Sequence, residues 1–315
     1  MRCVTFALLF AVACAGRAPE MPRIPERSVS FSIDQPLVKL PCAWPVGATY
    51  RYTYERRRED AQVSDLGAAT FVAPAVLTVS APDRLTLDIG RAEINGPAGL
   101  IEPLRAMVGD DDRPAKELVF RDGEVVGVKN YAELSGEVDR ELRMLMPYTT
   151  SPEVFGTIRA TYDNPRAAVS LMLVEPTVLL GALCSVMGDG QEDRSADETP
   201  SPFEGLTVRR EMIVTATIEP EAGIATYVIE TTTNQMSLLK MMKEAESARS
   251  RKKRAELHAE VAEHELYFFT VAVHSLADGM PLSVEATKTI GGKVYPFQRA
   301  DHWRWTRVTE HWEAP

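Results

Sequence analysis

The sequence predicts an α+β fold: an antiparallel β-sheet (one large sheet, two related sheets or a half-open β-roll) packed on several helices. Three observations carry this. Segments such as Tyr50-Arg51-Tyr52-Thr53-Tyr54-Glu55 alternate residue types with the period of two that a half-buried strand requires. Asp122-Gly123 and Asp278-Gly279 supply the positive φ angles of tight hairpin turns. Between the strands lie longer stretches with helix-opening signals at Asn130, Ser151-Pro152, Asn164-Pro165 and Asn234.

In chain order, Val29, Phe31 and Ile33 alternate with serines and predict a short first strand. Ala48 to Glu55 predicts a strand with Tyr50, Tyr52 and Tyr54 on one face and Arg51, Thr53 and Glu55 on the other. Phe71 to Ser80 and Leu85 to Ile94 predict a hairpin turned at Ala81-Pro82-Asp83, and Pro97 to Val108 a short helix. Glu117 to Arg121 and Glu124 to Lys129 form the first Asp-Gly hairpin. Asn130 then caps a helix, with Glu133 three residues on as in a capping box and Tyr131, Leu134, Val138, Leu142 and Leu145 along one face.

Val169 to Met187 is very apolar. Glu175 and Pro176 at its middle argue against a membrane span, because a charge is costly in lipid, and predict a core helix broken at Pro176. Leu206 to Ile218 and Ala225 to Thr233 alternate as strands turned at Glu219 to Gly223. Asn234 to about Glu265 reads as a long charged helix with an alanine stripe. Leu266 to His274, Leu282 to Ile290 and a segment within Trp303 to Val308 complete the strands. The organisation is then a signal peptide (1–13), a flexible linker (14–36), an N-terminal β-rich half with a helical block (37–187), an acidic linker with Gly and Pro (188–205) and a C-terminal ββαβββ half (206–315). The halves share a plan of antiparallel strands, helical insertion and Asp-Gly hairpin.

The N-terminus sets the compartment. Arg2 is followed by an uncharged apolar run from Cys3 to Ala13, too short to cross a bilayer, and then by small residues, the layout of a secretory signal. Cleavage after Ala13 or Ala15 fits that layout. Val12-Ala13-Cys14 also resembles the end of a bacterial lipobox, with Ala11 where Leu is usual, and the resemblance implies lipid on Cys14. The chain has four cysteines. Cys3 leaves with the signal, and lipidation of Cys14, or cleavage after Ala15, leaves Cys42 and Cys184 as an even pair. An oxidising compartment predicts a disulfide between them. The expected location is the periplasm or outer membrane, and the expected partner is the membrane, reached through a lipid anchor. Pro19, Pro22, Pro25 and Pro36 give the intervening segment an extended linker character.

The formal net charge of −10 excludes general nucleic-acid binding, which needs clustered Lys and Arg. No catalytic residue, metal ligand or cofactor is assigned. Ser237-Leu-Leu-Lys240 has the Ser-x-x-Lys spacing without its companion motifs. Glu260 and His264 stand one helical turn apart with no third ligand, and His258 faces elsewhere. Asp110 to Asp112 and Asp189 to Asp193 lack a calcium-loop spacing. The basic block from Arg249 to Arg254 is flanked by glutamates and reads as a self-pairing solvated face. Tyr50, Tyr52 and Tyr54, with Trp303 and Trp305, either line a cavity for an apolar ligand or form an aromatic core face. Two functions follow: a non-catalytic envelope protein that binds an apolar ligand or an envelope partner, or a periplasmic hydrolase whose site is assembled from distant residues. The plan is similar to that of envelope carriers of lipoproteins and lipids, a half-open β-roll lidded by helices.

Overall fold

The computed structural model describes residues 28–30, 37–60, 69–96, 114–121, 123–145, 168–169, 172–200, 207–233, 264–292 and 299–308. The signal segment with Cys14, the linker apart from Ser28–Ser30, and the helices expected at Pro97, Ser151 and Asn234 lie outside the described residues. So do Ser237, Lys240, His258, Glu260, Asp110 to Asp112 and the basic block.

Among the described residues the fold is mostly β, with 61% strand and 13% helix, which overturns the expected α+β class with several packed helices. In chain order the strands are β1 (Ser28–Ser30), β2 (Val38–Lys39), β3 (Thr49–Asp60), β4 (Ala69–Ala81), β5 (Arg84–Ile89), β6 (Glu93–Asn95), β7 (Lys116–Arg121) and β8 (Glu124–Val128). After helices α1 (Tyr131–Leu145) and α2 (Val174–Leu180) come β9 (Val186–Met187), β10 (Glu192–Pro200), β11 (Thr207–Glu219), β12 (Ile224–Thr233), β13 (His264–Ser275), β14 (Pro281–Gly292) and β15 (Arg299–Arg307). Thirteen strands form one antiparallel sheet in the order β1-β10-β11-β12-β13-β14-β15-β3-β4-β5-β7-β8, with β6 also on β4. β2 and β9 form a separate two-stranded ribbon. The acidic stretch expected as linker supplies β10.

α2 touches both β8 and β14. Those strands are six places apart in the sheet order. On a flat sheet they would be ~28 Å apart at ~4.8 Å per strand, more than twice the ~10–12 Å width of a helix. The sheet therefore curls around α2. Its inner face is the core. Tyr50, Tyr52 and Tyr54 are buried while Arg51 and Thr53 are exposed, as the period of two dictates. Along one row across the sheet, Ala216, Tyr227, Ala272, Val284, Trp305, Tyr54 and Ala73 stand in register, all buried. Tyr227 sits between two alanines, so its ring has room to lie along the sheet. Leu77, Leu85, Leu87 and Leu118 make a purely aliphatic wall on the far side.

Several local details depart from the sequence expectations for identifiable reasons. The strand expected from Leu85 to Ile94 breaks into β5 and β6 at Gly90, whose N–H donates to the Pro74 carbonyl at 2.8 Å. Pro74 lies mid-strand in β4 but opposite this break, where the missing N–H is not needed. The apolar stretch to Met187 is not one helix. α2 ends at Leu180, Cys184 adopts a positive φ of 60°, and Val186 and Met187 pair with β2. Pro176 does not break α2, because it is the third residue, where no N–H is required within the helix. Asn130 opens α1 without acting as a simple cap. Its Oδ1 accepts from the Glu117 N–H at 3.0 Å and its Nδ2 donates to the Ala115 carbonyl at 2.8 Å and to Glu133 at 3.0 Å. The side chain thus pins the helix start to β7.

Candidate functional site

Four charged side chains converge where α2 meets the inner face. Arg56 continues the inward parity of Tyr50, Tyr52 and Tyr54 on β3. Lys116 opens β7, Glu175 lies in the first turn of α2, and Asp301 is the buried residue of β15 two places before Trp303. Glu175 accepts from Arg56 at 3.2 Å and from Lys116 at 3.1 Å, one carboxylate oxygen to each. Asp301 lies 3.8 Å from the Arg56 guanidinium, which also covers the Trp303 ring at 5.5 Å. The Lys116 ammonium also donates to the Met172 carbonyl at 3.0 Å. Met172 lies four residues before Pro176, just ahead of α2, so Lys116 satisfies a carbonyl that Pro176, lacking an N–H, cannot.

The cluster carries two positive and two negative charges. Burial raises the Glu175 carboxyl, but Lys116 and Arg56 outweigh it and hold it below its ordinary value. Burial lowers Arg56, but Tyr54, Glu175 and Asp301 more than offset this. Tyr54, desolvated and beside Glu175, has its phenol pushed up and stays neutral. A compensated cluster of this kind fixes one position of a helix on a sheet. It provides no activated nucleophile. Among the described residues, no group of three His, Cys, Asp or Glu side chains is arranged to hold a metal ion.

Beside the cluster the aromatic residues are joined. Trp305 lies tilted against Tyr54, with ring centroids 4.3 Å apart, and meets Tyr52 edge-on at 6.3 Å. Tyr50 is separate, under the Arg307 guanidinium at 4.8 Å. All three tyrosines belong to one buried core. Tyr52 donates to the Pro281 carbonyl at 3.2 Å, whereas, among the described residues, the Tyr227 hydroxyl and the indole N–H groups of Trp303 and Trp305 are buried with no hydrogen-bond partner.

At the end of the sheet marked by the β13–β14 turn, Cys42 and Cys184 are bonded, their Cα atoms 5.0 Å apart across 142 residues. Gly123, at φ +88°, passes against the Cys184 side chain, where an added Cβ would be crowded at 3.0 Å and its backbone strained. Trp44 donates to the Asp278 carbonyl at 2.6 Å, and Arg307 pairs with the Asp278 carboxylate at 2.8 Å. Of the acidic loop, Asp189 accepts the Ile218 N–H at 2.8 Å and so serves as a backbone anchor. On the outer face Thr287 and His302, cross-strand partners, meet at 3.1 Å.

Sequence reasoning found the disulfide and the tyrosine face but not the charged cluster. Two signals pointed to it: the parity that places Arg56 with the tyrosines, and the lone Glu175 in an apolar run. Lys116 and Asp301 carried none, because only the strand order brings them close. No protein-family model matches the chain, and a search of curated proteins finds no similar sequence.

Proposed function

We propose that the protein is an exported envelope protein, anchored by lipid at Cys14, that holds an apolar ligand inside its curled sheet. One observation carries the reading. Among the described residues the concave face, with Tyr52, Tyr54, Trp303 and Trp305, holds α2, seven residues long, whose Glu175 pairs with charged side chains from two strands. With the ion pairs fixing this short helix at one place, the aromatic face beside it is the surface against which an acyl chain or similar apolar body would lie. Export is supported by the Cys42–Cys184 bond, since such bonds persist in oxidising compartments.

Native mass spectrometry of the protein purified from its own envelope tests the ligand, and titration of delipidated protein with a fluorescent long-chain fatty acid tests the cavity. The expected results are a co-purifying lipid mass and saturable binding with quenching of tryptophan emission. Neither mass excess nor saturation would remove the ligand reading. Independently, Cys14→Ser should move the protein from the membrane to the soluble periplasmic fraction. A wild-type protein already soluble would remove the anchor and leave the ligand question untouched.

A further inference from the structure

His274 lies on the inner face of β13 and is fully buried. Its Nδ1 meets the Gly279 carbonyl at 2.9 Å, closing the turn between β13 and β14 onto itself. A carbonyl only accepts, so Nδ1 carries the proton and Nε2 is the bare nitrogen. Nε2 is buried with no partner among the described residues. Two groups of the described residues face the ring. From β12 comes Tyr227, edge-on at 5.5 Å, and from the turn itself Asp278. The Asp278 carboxylate is already engaged by Arg307 of β15 at 2.8 Å and by the Met280 N–H at 3.0 Å. The register of β13 against β14 also shifts between Val273 and His274, so the strand is irregular where the ring enters the core.

The same turn seats the N-terminal segment. Gly279, at φ +72°, lies so close to the Pro41 carbonyl that a Cβ there would collide with it, and the neighbouring Asp278 carbonyl receives the Trp44 N–H. Pro41 and Trp44 flank Cys42, so the disulfide-tied segment rests on the turn that His274 closes.

We infer that the β13–β14 turn is an acid-sensitive latch: His274 closes it while neutral, and protonation of the ring releases the segment around Trp44. A second N–H on the ring would point into the core with no acceptor, and a full charge would stand there with its one nearby carboxylate already paired. Burial is the largest influence on the ring and favours the neutral form, against the smaller opposite pull of the Gly279 carbonyl and Asp278. The folded protein therefore takes up its proton at a lower pH than the unfolded chain does. Stability is complete above the ordinary histidine value of 6.5 and falls as the pH drops below it. The disulfide limits the motion to a local opening, because Cys42 stays tied to Cys184.

The test compares wild type with His274→Asn. Asparagine can place an N–H where Nδ1 lies, keeps the bond to Gly279 and does not titrate. Hydrogen exchange by mass spectrometry, at about pH 7 and about pH 5 with exchange times corrected for intrinsic rates, reads the peptides holding Trp44 and Gly279. In wild type these should lose protection at the lower pH by about tenfold or more, while His274→Asn keeps its protection. Equal loss in both proteins would overturn the latch. If His274→Asn does not fold, the wild-type ring is followed by NMR. A ring that titrates at the ordinary value with no change in the Trp44 indole signal would overturn the inference just as well.

Discussion

The two wings of the sheet solve the same burial problem differently. In β4, β5 and β7 the inner face is mostly aliphatic, with Leu77, Leu85, Leu87 and Leu118 all nearly inaccessible, and Lys116 and Phe120 to either side of Leu118 on β7. In β11 to β15 it alternates small residues with rings, and those rings bring polar atoms inside: the Tyr227 hydroxyl, His274 Nε2 and two indole N–H groups without partners among the described residues. The aliphatic wing can only be stable or unstable. The aromatic wing contains groups whose energy depends on protonation or on what lies against them, so it is where a response can be built. The charged cluster straddles the boundary, taking Lys116 from one wing, Asp301 from the other and Arg56 from the strand between.

The sharpest way to break the comparison is to damage the aliphatic wing. Leu87→Ala removes a fully packed side chain opposite the Lys116 stem, and should cost about 3–5 kcal/mol. Denaturant unfolding measures it, and the loss should be the same at about pH 7 and about pH 5, because nothing near Leu87 on that wall titrates in this range. A strongly pH-dependent loss would mean that the two wings are not separate. Replacing Cys42 and Cys184 together by alanine should cost about 2–4 kcal/mol, mostly by freeing the unfolded chain. In that variant the wild-type acid response of the Trp44 peptide should become larger, since the tether that limits it is gone.

How much of this was legible in the sequence follows the same division. Tyr50, Tyr52 and Tyr54 announced β3 and its buried face, and Asp122-Gly123 announced the β7–β8 turn, because both signals are local. The overcount of helix came from Val169 to Met187, where apolar content alone does not distinguish a helix from a helix, a turn and a strand. The cluster was hidden for a topological reason. Arg56 and Asp301 meet because β15 returns to pair with β3 across more than two hundred residues, an outcome that no window of the sequence contains. His274 was hidden for another: alternation placed it inside, but nothing local showed that its second nitrogen would lack a partner.

Glu175→Gln sharpens the role of the cluster. The amide keeps the shape, and one of its two ends can still serve Arg56 or Lys116, so the expected loss is about 1–3 kcal/mol and not the full cost of an orphaned charge. Its pH signature is distinctive. The folded Glu175 carboxyl sits below its ordinary value of 4.5, so the stability it confers is present above that value and is lost as the pH falls below it. The variant should lack that acid step while keeping the earlier one below 6.5 that belongs to His274. Two separate steps in wild type, each removed by its own substitution, would show that the cluster and the turn respond independently.

The smallest expected effect is also the most discriminating. Tyr52 and Tyr227 are both almost completely buried on the inner face. The Tyr52 hydroxyl donates to the Pro281 carbonyl, whereas the Tyr227 hydroxyl has no partner among the described residues. Burial raises both phenols, Tyr227 to about 12, so both are neutral at ordinary pH and a change to phenylalanine removes a dipole and no charge. Tyr52→Phe gives up a bond and strands a carbonyl, and should cost about 1 kcal/mol. Tyr227→Phe removes a group that was desolvated without return, and should be neutral or stabilise by up to about 1 kcal/mol. Thermal or denaturant unfolding of the two variants side by side decides the matter. A loss at Tyr227 as large as at Tyr52 would mean that the hydroxyl has found an acceptor in solution. In a wing of alanines around a polar ring, that acceptor would be a ligand or an ordered water, which delipidation would then separate.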